Sequence, residues 1–245
     1  EAMAALEAEA QAKAEERREE IRQQEEAIEK EGKKRRGKKP TEPTETPEAK
    51  AQRNFTDPDS RIMKDGATKS FEQCYNAQAA VDDTSQIIVA TKVTQQANDK
   101  QQLAPMLEEI EANTGGRKPQ RLSADAGYFS EANVKHLQSK GIDAHIAPGR
   151  DKHSTPKRAA PRGRIPKTAT VKERMERKLR TIKGRATYSK RKGIVEPVFG
   201  QIKEVRGFRR FLLRGVDKVD AEWGLICLTH NLLKLFRSGF TPQIA

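Results

Sequence analysis

Two carboxylates occupy positions at which mixed α/β proteins carry reactive groups. Asp125 follows the short apolar run Arg121-Leu-Ser-Ala124 and opens the turn Asp125-Ala-Gly127. It therefore falls at the carboxyl end of a predicted strand, the edge where α/β sheets present functional side chains. Glu196 lies in the segment from Tyr188 to Lys203. Helical spacing there predicts Lys192, Glu196 and Lys203 on one stripe, and Val195, Phe199 and Ile202 on a neighbouring apolar stripe. Pro197 removes a backbone donor, which predicts a helix start or kink beside Glu196. A strand-end Asp and a Glu from a helix laid across that edge can hold Mg²⁺. Metals paired about 4 Å apart activate the attacking oxygen and stabilise the leaving oxygen of a phosphodiester displacement. Each residue also has a plainer reading, Asp125 as a turn former and Glu196 as part of a solvated Glu–Lys face.

The run Arg206-Gly-Phe208-Arg209-Arg210-Phe211 interleaves guanidinium groups with aromatics. Such groups bind phosphates and stack on bases, although Phe208 and Phe211 fit a core equally well. His136, His145, His153 and His230 show no metal-ligand spacing, and the apolar neighbours of His230 mark it as structural. The chain shows no Gly-rich phosphate loop and no Cys/His or Ser/His/Asp signature.

The elements that must position these groups begin near Phe55. Tyr75 to Val81 and Ile87 to Val93 read as strands joined by an Asp82-Asp-Thr-Ser85 hairpin turn. Gln101 to Asn113 reads as an amphipathic helix stopped by Thr114-Gly-Gly116. Arg121 to Ala124 is a strand, Ser130 caps a helix to about Lys140, and Ile142 to Ile146 is a further strand. Helices are predicted over Val171–Ile182, Ser189–Val205 and Trp223–Phe236, after a basic loop over 148–170. Turns are expected at Thr56–Asp59 and Lys64–Gly66. The order is that of a mixed α/β fold.

Ahead of this lies an Ala/Glu-rich segment, 1–30, which predicts a long solvated helix. Leu6, Ile21 and Ile28 are too sparse for a coiled-coil seam. Residues 31–52, basic and then Pro-rich, read as a linker. The domain plan is then helix 1–30, linker 31–52, a body over 53–237 and a tail over 238–245. The chain begins at Glu1 rather than Met, so it is expected to be a piece of something longer.

Of 245 residues only 34% are hydrophobic, too few for every segment to pack into a core. Two cysteines, Cys74 and Cys227, exclude a disulfide-rich scaffold and a Cys-based zinc module. No apolar run is long enough to span a bilayer, so no membrane partner is expected. The net charge of +13 is distributed unevenly: residues 1–52 carry −2, 53–150 carry −1 and 151–245 carry +16. That concentration is the footprint expected of a protein that meets a phosphate backbone.

At these residues the sequence resembles the DDE transposases of bacterial insertion sequences. Their helix signature is Tyr-x2-Arg-x3-Glu-x6-Lys. Glu196 and Lys203 match it at the right distance, Lys192 takes the Arg position, and the Tyr position is Ser189, with Tyr188 one place early. Ser123 to Tyr128 resembles the motif around the family's second Asp. Tyr75–Asp82, Asn98-Asp99, Val205–Gly215 and Trp223–Leu235 extend the resemblance in order over about 53–237.

The resemblance implies a ribonuclease-H-like sheet and Mg²⁺-dependent (alternatively Mn²⁺-dependent) hydrolysis and strand transfer at transposon ends. It makes Asp125 and Glu196 catalytic metal ligands. Lys192 and Lys203, with Arg206, Arg209 and Arg210, are expected to contact double-stranded DNA. A bacterial cytoplasmic, nucleoid-associated protein follows, with a homodimer as the oligomer it allows. The family order has three strands before the first helix, with the first Asp on the first of them, whereas the sequence shows two. The first strand and its Asp are therefore expected upstream of Glu1, with 1–52 an insertion, and the chain alone is expected to be inactive. Asp82, Asp83 and Asp99 are nearby carboxylates, none at the first Asp's position. The alternative is a non-catalytic basic nucleic-acid-binding remnant or module.

Overall fold

In the computed structural model, residues 2–30, 40–47, 49, 51–64, 69–149 and 159–239 are described. They fall into two units, Glu1–Pro58 and Asp59–Ala245. The first is dominated by helix α1, Ala2–Lys30, as its Ala/Glu/Lys/Arg composition requires. Ion pairs run along it, Arg17 to Glu20 at 2.6 Å and Arg22 to Glu19 at 2.7 Å. Exposed pairs of this kind contribute only about 0–1 kcal/mol each. Among the described residues of this unit, Ala14 is the one buried apolar side chain.

The second unit opens with a hairpin that the sequence pattern did not reveal. Strands β1, Arg61–Lys64, and β2, Phe71–Cys74, pair antiparallel with Arg61 opposite Cys74 and Lys64 opposite Phe71. Only Met63 of these eight residues is buried, so no alternation marked them. The turn expected at Lys64–Gly66 lies, from residue 65, outside the described residues.

The predicted strands follow as β3, Asn76–Val81, and β4, Ile88–Thr94, an antiparallel pair. Asp82 shapes their turn by accepting from the Thr84 and Ser85 amides. A 3₁₀ turn, Asp99–Gln102, leads into α2, Leu103–Asn113. Strand β5, Arg121–Ala124, is joined through α3, Glu131–Ser139, to β6, Asp143–Ile146, which pairs with β5 in parallel. Ser130 caps α3 by accepting from the Asn133 amide, and Gly141 at φ +75° turns the chain out of it. Residues 159–170 carry no helix or strand, and the rest of the expected basic loop lies largely outside the described residues.

Three helices finish the unit: α4, Val171–Arg180, α5, Ile182–Gly200, and α6, Val216–Arg237. Both α5 and α6 begin seven residues before the predicted starts. Thr181 caps α5 through the Gly184 amide, and Gly184 fits because a Cβ there would stand 2.0 Å from the Lys178 carbonyl. Pro197 sits inside α5 rather than at a start or sharp kink. It cannot donate to the Gly193 carbonyl, and the Gln86 side-chain amide does so instead, at 2.9 Å. After Gly200 the helix widens into a π turn, Gln201–Val205.

Among the described residues the six strands form three separate two-stranded sheets. Helix α2 lies on one face of two of them. Met106 and Ile110 pack with Ala80 and Ala90 of β3 and β4, while Leu103 and Leu107 join Leu122, Ala144 and Ile146 of β5 and β6. On the opposite face of β3–β4, Ala77, Ala79 and Val81 meet Val198 and Ile202 and the α6 residues Val219, Trp223 and Ile226. Helix α5 also contacts β3, β5 and β6. The two half-sheets are thus held together by helices, not by hydrogen bonds between β3 and β5. Between them runs a cleft of about 820 Å³ lined along the whole of both strands.

Candidate active site

The polar end of this cleft is built where β3 starts and β5 stops. Asp125 leaves β5 with extended backbone, and its Oδ1 accepts from the Gly127 amide at 2.8 Å. Opposite it, Asn98 caps the 3₁₀ turn that begins with Asp99. Asp99 Oδ1 accepts from Asn76 Nδ2 at 2.7 Å and from Gln78 Nε2 at 3.0 Å. The position a Cβ on Gly127 would occupy is 2.6 Å from Asp99 Oδ2 and 3.0 Å from Asp125 Oδ1. That single point brings the two carboxylates into one site and explains why residue 127 has no side chain.

Gln78 ties the site to the core. Its side chain is nearly inaccessible, donates to Asp99 and Asn76, and accepts from the Tyr128 hydroxyl. Its backbone carbonyl accepts from Trp223 Nε1 at 2.8 Å. Burial, followed by the charges of Asp99 and Asp125, pushes the Tyr128 hydroxyl above its ordinary value. Tyr128 therefore stays protonated and acts as a donor.

Sequence reasoning passed over Asp99, Asn76 and Gln78, setting Asp99 aside because it is not at the family's first-Asp position. A signal was present in β3, where two amides alternate along a strand otherwise made of Ala and Val. Amides repeated on one face of such a strand need polar partners.

The structure places Glu196 differently from Asp125. Thr187, Lys190, Arg191, Ile194, Val195 and Phe199 of α5 line the cleft, while Glu196 projects from the helix's exposed side. It stands three residues before Phe199, on the adjoining strip of helix surface. Lys192 is exposed four residues before it. Lys203 is exposed, and its Nζ lies 5.7 Å from the ring centroid of Phe199, four residues before it.

The basic run also divides. Arg206 donates to the Ile226 carbonyl at 3.1 Å and to the Thr229 hydroxyl, and lies over the Phe208 ring at 4.8 Å. Arg209 pairs with Glu204, and Arg210 is exposed. Phe211 belongs to the core, edge-on to both Trp223 and Tyr75, whereas Phe208 is partly exposed.

A hard divalent cation takes oxygen ligands, and Mg²⁺ is commonly held by one or two carboxylates with substrate phosphates completing its shell. The Asp99–Asp125 pair fits that requirement. Among the described residues no group of three or more His, Cys, Asp or Glu side chains converges to hold a metal. No helix among them is long and apolar enough to cross a membrane.

The site is thus an acidic pair at the mouth of a cleft in a mixed α/β body, with the basic residues Lys190 and Arg191 of α5 along the cleft wall. The family model of the transposase DDE domain matches residues 23–232, and the chain belongs to that family. No curated protein and no solved structure matches it.

Proposed function

We propose that this chain supplies the ribonuclease-H-like body of a transposase that hydrolyses phosphodiesters at transposon ends and transfers the freed strand, with Mg²⁺ as cofactor. The observation that carries the proposal is the convergence of Asp99 and Asp125 at the cleft mouth. Asp125 and Asp99 would hold the ion, with Glu196 reaching it from the rim once DNA is seated. When bound, Mg²⁺ supplies Lewis-acid stabilisation of charge on phosphate oxygens. Asn76 and Gln78 fix the Asp99 carboxylate, Tyr128 holds Gln78, and Gly127 keeps room between the two carboxylates. Lys192, Lys203 and Arg210 hold the DNA backbone, and work on chromosomal DNA places the protein with the bacterial nucleoid. A non-catalytic reading has its own support, because the site's two converging carboxylates do not include Glu196. The isolated chain accordingly binds DNA without cutting it.

A homodimer fits through α6. Leu225, Leu228, Leu232 and Leu235 are all exposed, and their 3-4-3 spacing is that of a coiled-coil seam. The flanking positions Gly224, Thr229, Asn231 and Phe236 carry no charge that would repel a second copy.

The test is Asp125→Asn in the purified chain with duplex DNA. Mg²⁺ should raise the melting temperature and the DNA affinity of the parent. The variant should lose that response and bind DNA equally well without metal. An undiminished Mg²⁺ response in the variant would remove Asp125 from the site.

A further inference from the structure

Ahead of α4 the chain runs back along that helix, from its carboxyl end to the Thr170 cap, as a segment over 159–169 with no helix or strand. Arginines of α4 hold it by its carbonyls. Arg174 donates from Nε to the Ala169 carbonyl and from Nη2 to the Lys167 carbonyl, both at 2.9 Å. Arg177 donates to the Arg162 carbonyl at 2.8 Å and also to that of Gly163. Arg180 reaches the Ala159 carbonyl at 3.5 Å, and its Nε is buried without a partner. Three guanidiniums at i, i+3 and i+6 thus face neutral peptide groups. Among the described residues the one ion pair of α4 is made by Lys178, with Asp143. Glu173 is taken by the Thr170 amide and hydroxyl.

Little else secures the segment. Among the described residues its one bond between backbone groups, from the Ala169 amide to the Pro166 carbonyl, is internal. Ile165 is exposed. An open space of about 370 Å³ is lined by Pro161, Ile165 and Pro166 of the segment and by Glu173, Glu176 and Arg177 of the helix. Arg162, Arg164 and Lys167 are themselves exposed cations, so like charge opposes seating the segment on the arginines.

We propose that Arg174, Arg177 and Arg180 are a phosphate-binding row masked by the segment 159–169, and that the backbone of duplex DNA displaces it. The two carbonyl oxygens on the Nε–Nη2 edge of Arg174 stand where the two oxygens of a bidentate phosphate would. A phosphate offers each guanidinium an ionised acceptor, which a peptide carbonyl does not. Counterions released from the duplex add a gain that the resting contact lacks. A single residue, Thr181, joins this helix to α5, which carries Lys190 and Arg191 on the cleft wall and the exposed Lys192. That DNA is the partner rests on the proposed function, whereas the row and its cover rest on the bonds just described.

The test is limited trypsin digestion of the full 245-residue chain, read by mass at the peptide bonds after Arg162, Arg164 and Lys167. Duplex DNA and, separately, polyphosphate are added, with affinity measured by anisotropy in the same buffers. Either polyanion should speed cleavage at these bonds about tenfold. Arg177→Gln should speed it without DNA and lower the slope of log K against log salt by about one. Arg174→Gln, at an exposed position, should do the same and guards against a folding defect in the first variant. Unchanged cleavage with DNA bound would overturn the cover. Slowed cleavage would overturn it too, and would assign the contact to Arg162, Arg164 and Lys167. Variants that free the segment but keep the full salt slope would overturn the row and leave its arginines structural. Release by polyphosphate without any binding of DNA would support the row and overturn DNA as its partner, and release by neither would overturn both.

Discussion

Asp99 and Gly127 show what a residue can and cannot disclose through its type alone. Asp125 was legible because it ends an apolar strand, but its partner was not, since Asp99 sits 26 positions earlier in a capped turn. The packing of that turn against the one at 126–128, with Gln78 bonded to both Asp99 and Tyr128, joins them, and no local pattern encodes such contacts. The geometry makes Gly127→Ala a sharp test. The added methyl would sit 2.6 Å from Asp99 Oδ2, and this carboxylate cannot swing away without breaking its bonds to Asn76 and Gln78. We expect a loss of about 1–3 kcal/mol in urea unfolding together with loss of the Mg²⁺ response. Unchanged stability would mean that Asp99 is not held in place.

His230 carries a second prediction at this scale. Its Nε2 lies 3.1 Å from the Gln86 carbonyl, and its Nδ1 is buried with no hydrogen-bond partner. Burial lowers its pKa below 6.5, the Gln86 bond opposes this, and Lys234 and Arg206 add to the lowering. The unfolded chain thus binds the proton more readily, and acid favours unfolding. Stability should be level above about pH 7 and should fall as pH drops below 6.5 towards the lower folded pKa. His230→Gln should flatten that part of the curve, as measured by denaturant midpoints from pH 5 to 8. A slope that is identical in the variant would assign the acid sensitivity elsewhere.

At the scale of elements, regular periodicity was readable and its interruptions were not. The strands β3 to β6 and helices α2 and α3 fall close to their predicted bounds, because alternation, caps and Gly stops all lie within a few residues of one another. The β1–β2 hairpin escaped because its residues are mostly exposed, and the early start of α5 escaped because Gly184 and Thr187 weaken the helical signal. The π turn that closes α5, where Ile202 is buried with the α6 residues and its carbonyl accepts from the Phe208 amide, left no periodic mark in the sequence. The α6 seam leads to a prediction here. The chain should sediment as a dimer at micromolar concentration, and Leu228→Lys combined with Leu232→Lys should yield a folded monomer. Both residues are about half exposed, so the substitutions leave the buried face of Val219, Trp223 and Ile226 intact. A wild-type monomer at high concentration would leave the seam to another surface.

For the whole molecule, the deciding quantity is where the charge lies. The +16 of residues 151–245 is long-range information that composition already contained, but which cations remain available to a partner is set by the fold. Arg206 is committed to α6 through Ile226 and Thr229, and Arg209 to Glu204, so neither is a free contact in the resting chain. Lys192 and Arg210 are exposed. DNA affinity should therefore fall steeply with salt, and engagement of about four phosphates would cost about a hundredfold between 50 and 200 mM. Lys192→Ala and Arg210→Ala should each weaken binding to any duplex sequence and reduce the slope of log K against log salt by about one. Arg206→Ala should instead lower the melting temperature, because it removes the bonds that tie the end of the π turn to Ile226 and Thr229 of α6, with little effect on the slope. Fluorescence anisotropy across salt, run beside thermal unfolding, separates the two outcomes. A salt-independent affinity would mean that the basic half does not face DNA, whereas a slope lost with Arg206 alone would mean that its bonds to α6 open when DNA binds.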